Sequence, residues 1–130
     1  DEKYNESNIN FTYSSEEIIT EVDEQLIKRA FINIIINAFV HNDTQVKVNI
    51  NIQQIYGEKI SISIEDNGKG VSEEELNHIF KRYYRGTNTR NKTEGSGLGM
   101  AIAHDIVKVH GGQIEAVSQA GEGLKVSILL

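Results

Sequence analysis

Two asparagines, Asn33 and Asn37, stand in a stretch otherwise made of isoleucine, phenylalanine and alanine. Because residues four apart on a helix share a face, both side-chain amides would point to one place. An amide oxygen is a hard ligand that suits Mg²⁺, and a buried amide needs a partner of some kind. The pair is therefore either one end of a magnesium site or two amides that bond backbone or water at the edge of a core.

A carboxylate with glycines beside it follows an apolar run, in Glu65-Asp66-Asn67-Gly68-Lys69-Gly70. Asp-Asn-Gly is common in tight turns, but a capped helix follows and not a returning strand. A carboxylate at the end of a strand can accept a hydrogen bond from the exocyclic amine of a nucleobase, and such a site rejects an analogue without that amine. Asp66 is thus a candidate base-reading residue.

A third segment, Gly95-Ser96-Gly97-Leu98-Gly99, opens a predicted helix. Backbone amides at a helix start can bind phosphate oxygens, although a flexible hinge would use the same residues. The spacing matches neither the P-loop nor the dinucleotide-binding pattern. Residues 81–92, just before it, contain five Lys or Arg and no acid, which indicates a solvated surface or a lid. Together with the asparagines and Asp66, these segments describe a nucleotide–magnesium site.

The hydrophobic pattern predicts the elements that position these groups. The first predicted helix runs from a cap at Asp23 to about Val40. The second begins at Ser72 and carries Leu76, Ile79 and Phe80 on one face. The third runs from near Gly97 to Gly111-Gly112, with Leu98, Ile102, Ile106 and Val109 on one side. Strands are predicted around residues 9–13, 18–22, 46–52, 60–64, 114–117 and 124–130. We predict an α/β fold, a two-layer sandwich in which three helices cover one face of a mixed, mostly antiparallel sheet.

The 130 residues fit a single domain, 1–130, with N-terminal strands in 1–22. The absence of cysteine excludes disulfides and thiol chemistry. The net charge of −6 argues against nucleic acid or an anionic membrane as a partner. Because residues 1–24 hold eight acids and one base, the rest of the chain is nearly neutral and an anionic ligand is not disfavoured. The longest apolar stretch, Ala30–Val40, is shorter than the ~18–20 residues of a membrane span.

In this order and spacing the segments resemble the ATP-binding catalytic domain of sensor histidine kinases, which has the Bergerat fold of the GHKL superfamily. The resemblance covers roughly residues 20–130. It rests on the N box Asn33-Ile34-Ile35-Ile36-Asn37-Ala38, the first glycine box Asp66–Gly70, the F box Ile79–Arg85, the second glycine box Gly95–Ile102, His110-Gly111-Gly112 and Gly121-Glu122-Gly123.

The resemblance implies a role for each matching residue. Asn37 would ligate Mg²⁺, Asn33 would lie beside the ATP phosphates, and Asp66 would accept the adenine amine. Residues about 83–96 would form the ATP lid. Arg85 would reach the γ-phosphate, and the catalytic residues would be Asn33, Asn37 and Arg85. The remaining nucleotide contacts that the resemblance implies are His41, Gly68, Gly70, Tyr84, Arg85, Gly95, Gly97, Leu98 and Gly99.

Asn33 separates the branches of this superfamily. The ATPases and the anti-sigma-factor serine kinases carry a glutamate there as general base, and an amide cannot take a proton at neutral pH. Transfer to a histidine is therefore favoured over hydrolysis or serine phosphorylation. Two departures from the family pattern, Val40 for a lysine and Leu124 for a hydroxyl residue, leave open a degenerate module that binds partners without catalysis.

The phosphate acceptor is expected to lie outside this chain. The family's acceptor motif carries a proline soon after its histidine, and this sequence has no proline. The resemblance thus implies a cytoplasmic domain of a longer, homodimeric sensor kinase, with its parent in the membrane. Its partners would be the dimerisation domain that carries the acceptor histidine and a downstream response regulator.

Overall fold

The computed structural model describes residues 8–13, 21–40, 42, 45–55, 59–82, 98–119 and 121–130. The elements are, in chain order, β1 Ile9–Tyr13, α1 Glu24–Val40, β2 Val48–Gln54, β3 Ile60–Asp66, α2 Glu73–Asn77, α3 Gly99–Val109, β4 Gln113–Gln119 and β5 Gly123–Leu129. None of the helices in these ranges has the length and apolar character needed to cross a bilayer.

The five strands form one mixed sheet in the order β1-β2-β3-β5-β4. Strand β1 pairs with β2 in parallel, and the other three pairings are antiparallel. The register places Ile50 opposite Ile64 and Ile64 opposite Val126, so alternate apolar residues share one face. That face is buried, and it packs against the helices.

Helix α1 begins where Asp23 accepts a hydrogen bond from the Leu26 N–H at 3.1 Å, as the predicted cap requires. Its apolar face includes Ala30 and Ile34, which are 0% and 2% exposed. The small side chains of Ala30 and of Ala103 on α3, also fully buried, let the two helices pack closely. Helix α2 begins at Ser72, whose Oγ accepts from the Glu75 N–H at 3.1 Å.

The predicted α/β sandwich, with its sheet covered on one face, is confirmed, and two local predictions need correction. Val109 was expected on the packed side of α3 but is 78% exposed. The helix instead buries Met100, Ala103, Ile106 and Val107, which are spaced three or four residues apart, and Val109 falls outside that stripe. The strand predicted around 18–22 falls mostly on residues outside the described ranges, and Val22 itself lies in no strand.

The end of α3 is held by two glycines and a histidine. Gly111 has φ +75°, its N–H donates to the Lys108 carbonyl at 2.9 Å, and the Gly112 N–H donates to the Val107 carbonyl at 3.0 Å, which is a Schellman motif. His110 Nδ1 lies 2.8 Å from its own helix's Ile106 carbonyl, so Nδ1 carries the proton and Nε2 is the acceptor. Nε2 accepts from the Asp23 N–H at 3.0 Å, which joins the end of α3 to the start of α1.

The two glycines of this motif are expected to differ in their tolerance of a side chain. A Cβ on Gly112 would lie 2.5 Å from the Leu129 carbonyl oxygen, whereas a Cβ on Gly111 would meet no atom within 4 Å. Gly112→Ala should therefore lower the free energy of unfolding by about 3 kcal/mol through overpacking against β5. Gly111→Ala should cost only about 1 kcal/mol, for the left-handed backbone. Urea denaturation of both variants measures this, and a larger loss for Gly111→Ala would contradict it.

Candidate nucleotide site

Asp66 ends strand β3 and is the one buried charged side chain of the described residues, 6% exposed. Its Oδ1 accepts hydrogen bonds from the Gly68 N–H at 2.9 Å and the Leu124 N–H at 3.3 Å. Burial raises the pKa of this carboxyl above its usual value, against the opposing effect of the two backbone bonds. No donor within the described ranges reaches Oδ2. One oxygen is thus fixed by backbone and the other is available to a ligand donor.

Strand β5 approaches the backbone of Asp66 very closely. Gly123 has φ +89°, and a Cβ on it would overlap the Asp66 carbonyl oxygen. Ser118 on β4 fixes this approach, since its Oγ donates to the Gly123 carbonyl at 2.6 Å and accepts from the Val71 N–H at 2.9 Å. The carboxylate of Asp66 is therefore positioned by backbone groups of two separate segments.

The residues after Asp66, Asn67–Val71, form a loop that we call the first glycine loop. Asn67 extends the β2–β3 pairing, because Lys47 donates its N–H to Asn67 Oδ1 at 2.8 Å and accepts the Asn67 N–H at 3.1 Å. The Lys69 carbonyl accepts from the Gly121 N–H at 2.7 Å. Gly70 has φ +74°, which a residue with a side chain adopts at a cost. Main-chain bonds from several elements thus hold the loop.

The asparagine pair lies on α1, with Asn33 facing the first residue of α3. The nearest atoms to a Cβ built on Gly99 are Asn33 Cβ at 3.7 Å and Asn33 Cγ at 3.9 Å. Asn33 Nδ2 is buried and has no hydrogen-bond partner among the described residues. Leaving such a donor unpaired costs about 1–3 kcal/mol, which indicates a site made for an acceptor that a ligand supplies.

The start of α3 can supply further donors to that ligand. Leu98 precedes the helix, no side chain caps it there, and its first turn contains no acid. The first amides of an α-helix have no partner within the helix, and the helix dipole favours an anion at this end. The start of α3 and the unpartnered amide of Asn33 thus lie side by side.

The side chains of this part of the site fit Mg²⁺ only together with a bound nucleotide. The described part of the chain contains no group of three or more His, Asp or Glu side chains that could hold a metal. Asn37, one turn from Asn33 and half-buried, offers a single amide oxygen. Mg²⁺ in nucleotide sites is commonly held by one or two protein oxygens, water and phosphate oxygens. The residues present fit that arrangement.

The described part of the F box is attached to α3. Phe80 stacks on His104 with ring centroids 5.4 Å apart, and Arg82 donates to Asp105 at 2.7 Å. The Arg82 guanidinium, with His104 beside it, holds the pKa of the Asp105 carboxyl below its usual range. The pair is exposed, so these contacts fix the chain up to residue 82 and contribute little stability.

Five of the predicted contacts fall on residues outside the described ranges, namely His41, Tyr84, Arg85, Gly95 and Gly97. Two residues of the site were not predicted, Asn42 and Ser118. Asn42 Oδ1 accepts from the Lys69 N–H at 3.0 Å. An asparagine just after a helix end is a recognisable cap signal, but its link to a loop 27 residues away has no local signature. Ser118 gives no sequence signal at all.

A sheet covered on one face, a helix start beside an orphaned amide, and a buried carboxylate at a strand end define a nucleotide-binding domain of the ATPase and kinase type. Residues 22–130 match the family described as "Histidine kinase-, DNA gyrase B-, and HSP90-like ATPase". The chain belongs to this family, and the predicted resemblance is confirmed.

Curated relatives are sensor kinases. The chain is 40% identical over 121 residues to sensor histidine kinase YvrG of Bacillus subtilis, covering 93% of this chain and 21% of that protein. It is 37% identical over 119 residues to sensor protein kinase WalK of Staphylococcus haemolyticus, covering 89% of this chain and 19% of that protein. The chain therefore spans about a fifth of the length of these relatives.

Solved structures agree. The mycobacterial sensor histidine kinase MprB superposes with a TM-score of 0.78 and 28% identity, over 95% of this chain and 84% of that one. The nucleotide-free catalytic domain of histidine kinase ThkA gives a TM-score of 0.77 and 27% identity, over 95% and 78%. The fold is thus that of histidine kinase catalytic domains.

Proposed function

We propose that this chain binds Mg·ATP and donates the γ-phosphoryl group to a histidine on the dimerisation domain of a longer sensor kinase. The observation that carries the proposal is the arrangement of Asp66, whose Oδ1 is taken by two backbone amides while Oδ2 remains available. A 6-amino group of adenine is the donor that such an oxygen accepts. By the family resemblance, Gly68 and Gly70 would shape the pocket around that base.

The phosphate end of the site is proposed at the facing ends of α1 and α3. Asn33 Nδ2 would donate to a phosphate oxygen, together with the first amides of α3. Asn37 Oδ1 would hold Mg²⁺, which neutralises phosphate charge when bound. Val40, which stands in place of a lysine in the family pattern, is buried in the core and supplies no charge. We assign the remaining phosphate contacts to His41, Tyr84, Arg85, Gly95 and Gly97 from the resemblance alone.

The transfer step needs positioning more than proton removal. A neutral imidazole nitrogen of the acceptor attacks the γ-phosphorus with its own lone pair, the bond from that phosphorus to the bridging oxygen breaks, and ADP leaves with the electron pair. Asn33 offers hydrogen bonds and no base, which suits this nucleophile and not water. On the same resemblance we propose that the parent kinase is a homodimer located in the membrane. We also propose that it acts on a downstream response regulator.

Thermal unfolding of the chain with Mg·ATP, Mg·GTP and no ligand tests binding, since a ligand at a hundred times its Kd stabilises a protein by about 2.7 kcal/mol. We expect Tm to rise with ATP and much less with GTP. Incubation with radiolabelled ATP and a separately prepared dimerisation domain of a related sensor kinase should label that domain's histidine. Rapid ATP hydrolysis by the chain alone would favour an ATPase, and an unchanged Tm at millimolar ATP would favour a non-catalytic module.

A further inference from the structure

We propose that Asn42 is a positioning residue that couples the magnesium and phosphate end of the site to the adenine end. The inference rests on the proposed nucleotide function. Asn42 follows α1 by two residues, and its Nδ2 donates to the Ala38 carbonyl of that helix at 2.7 Å. Its Oδ1 accepts from the Lys69 N–H in the first glycine loop at 3.0 Å. One short side chain therefore joins two elements that carry different parts of the site.

The contact with the loop is steric as well as polar. A Cβ built on Gly68 would overlap Cγ, Oδ1 and Nδ2 of Asn42, so the carboxamide packs directly on this glycine. The described glycines with positive φ are Gly70, Gly111, Gly121 and Gly123, and Gly68 is not among them. Gly68 is therefore required by the approach of Asn42 and not by its own backbone conformation.

The bonded groups form a continuous path between the two ends of the site. Asn37 is followed directly by Ala38, whose carbonyl holds Asn42, and Asn42 packs on Gly68, whose N–H holds Asp66 Oδ1. A simple helix cap would need only the bond to Ala38. The second bond, to Lys69, serves the loop and fixes the distance between the metal-binding amide and the base-reading carboxylate.

A double-mutant cycle on the nucleotide-free chain tests the packing. Gly68→Ala should lower Tm by about 5 °C or more, because the fixed carboxamide cannot move aside. In the Asn42→Ala background the same substitution should cost much less, since the obstructing atoms are gone. Gly123→Ala is the control, because its Cβ would overlap the Asp66 carbonyl oxygen and Asn42→Ala offers no relief there. Additive Tm losses for Asn42 and Gly68 would overturn the proposal.

Calorimetry with ATP, with and without Mg²⁺, tests the coupling. In the wild type, Mg²⁺ should strengthen ATP binding, and Asn42→Ala should reduce that strengthening roughly tenfold, the equivalent of one or two hydrogen bonds. Asn42→Asp keeps an acceptor for Lys69 and loses the donor to Ala38, so it should fall between the two. Asn49→Ala removes an exposed amide that bonds only Asn10 among the described residues and should change nothing.

The two experiments separate failure of this proposal from failure of the proposed function. If the wild type binds ATP and Asn42→Ala has the same affinity and the same dependence on Mg²⁺, the coupling role of Asn42 is overturned and the function stands. If the wild type binds no nucleotide, the function is overturned, and the Tm cycle still decides whether Asn42 holds the first glycine loop.

Discussion

Asp66→Asn is expected to weaken ATP binding by about a hundredfold while the domain stays folded. The variant amide keeps an oxygen for the Gly68 and Leu124 N–H groups, which fixes its orientation. It then presents an NH₂ group where Oδ2 was, so a donor faces the adenine amine. Calorimetry with ATP and with the analogue that lacks the 6-amine measures the effect. The wild type should prefer ATP, and the variant should lose that preference.

The same substitution is expected to leave the free energy of unfolding at pH 7 unchanged or higher. Burial raises the pKa of Asp66 in the folded state above the ordinary value of 3.8, so the folded chain binds this proton more tightly than the unfolded chain. The stabilisation of the fold by this group is complete below pH 3.8 and is lost as the pH rises through the raised pKa. At pH 7 the buried charge is therefore a cost, which the neutral amide removes.

Whereas the stability contributed by Asp66 falls as pH rises, nucleotide affinity should fall as pH is lowered. Protonation of Asp66 removes the acceptor that adenine needs, so ATP binding weakens as pH falls toward the raised pKa, earlier than for an ordinary carboxyl. Glu65→Gln, at the exposed neighbouring carboxylate, is the control and should retain ATP affinity. An Asp66→Asn variant that is less stable at pH 7 and still prefers ATP to the amine-free analogue would contradict this account.

Asn37→Ala is expected to lower the affinity for Mg·ATP by about a hundredfold and to leave ATP binding in EDTA nearly unchanged. Asn37 is the proposed metal ligand on α1, whereas the proposed adenine acceptor, Asp66, ends strand β3. Calorimetry in both conditions measures the difference. Unchanged affinity for Mg·ATP would remove Asn37 from the site.

Asn33→Ala provides a matched comparison on the same helix face. Its buried Nδ2, unpartnered among the described residues, is the proposed phosphate donor, so its loss should weaken ATP binding with and without Mg²⁺ by similar factors. If both variants lost only the Mg²⁺-dependent part of their ATP affinity, both amides would act through the metal. That result would contradict the roles proposed for them.

The sheet and helices could be predicted because burial of one face imposes a period that the sequence must display. Ile60, Ile62 and Ile64 alternate with polar residues and are all 3% exposed. The buried stripe of α3 was harder to predict, because apolar residues fill seven of the ten positions 100–109 and several faces fit the pattern. Val109 is predicted on one side of the helix with Leu98, Ile102 and Ile106, but it lies in solvent.

Around Asp66, the carboxylate has a local sequence signal, whereas its hydrogen-bond partners are set by tertiary contacts. Asp66 has a recognisable setting, but the group that fixes its Oδ1 from β5 is the N–H of Leu124, which any residue other than proline offers. Leu124 departs from the family pattern at this position; its side chain is buried in the core, and its N–H donates to the Asp66 carboxylate. Ser118 and Asn42 act across the fold, so their partners are set by tertiary contacts.

The position of β1 has a consequence for how the domain opens. Among the strands that the structure describes, β1 lies at the edge of the sheet and pairs with β2 alone, and its Phe11 and Tyr13 are 55% and 62% exposed. It buries little apolar area, and the four antiparallel-paired strands keep their bonds without it. Local unfolding free energies follow such burial and pairing. Amide protons of β1 therefore exchange with solvent through detachment of a single strand, long before those of β3, whose release requires the whole sheet to separate.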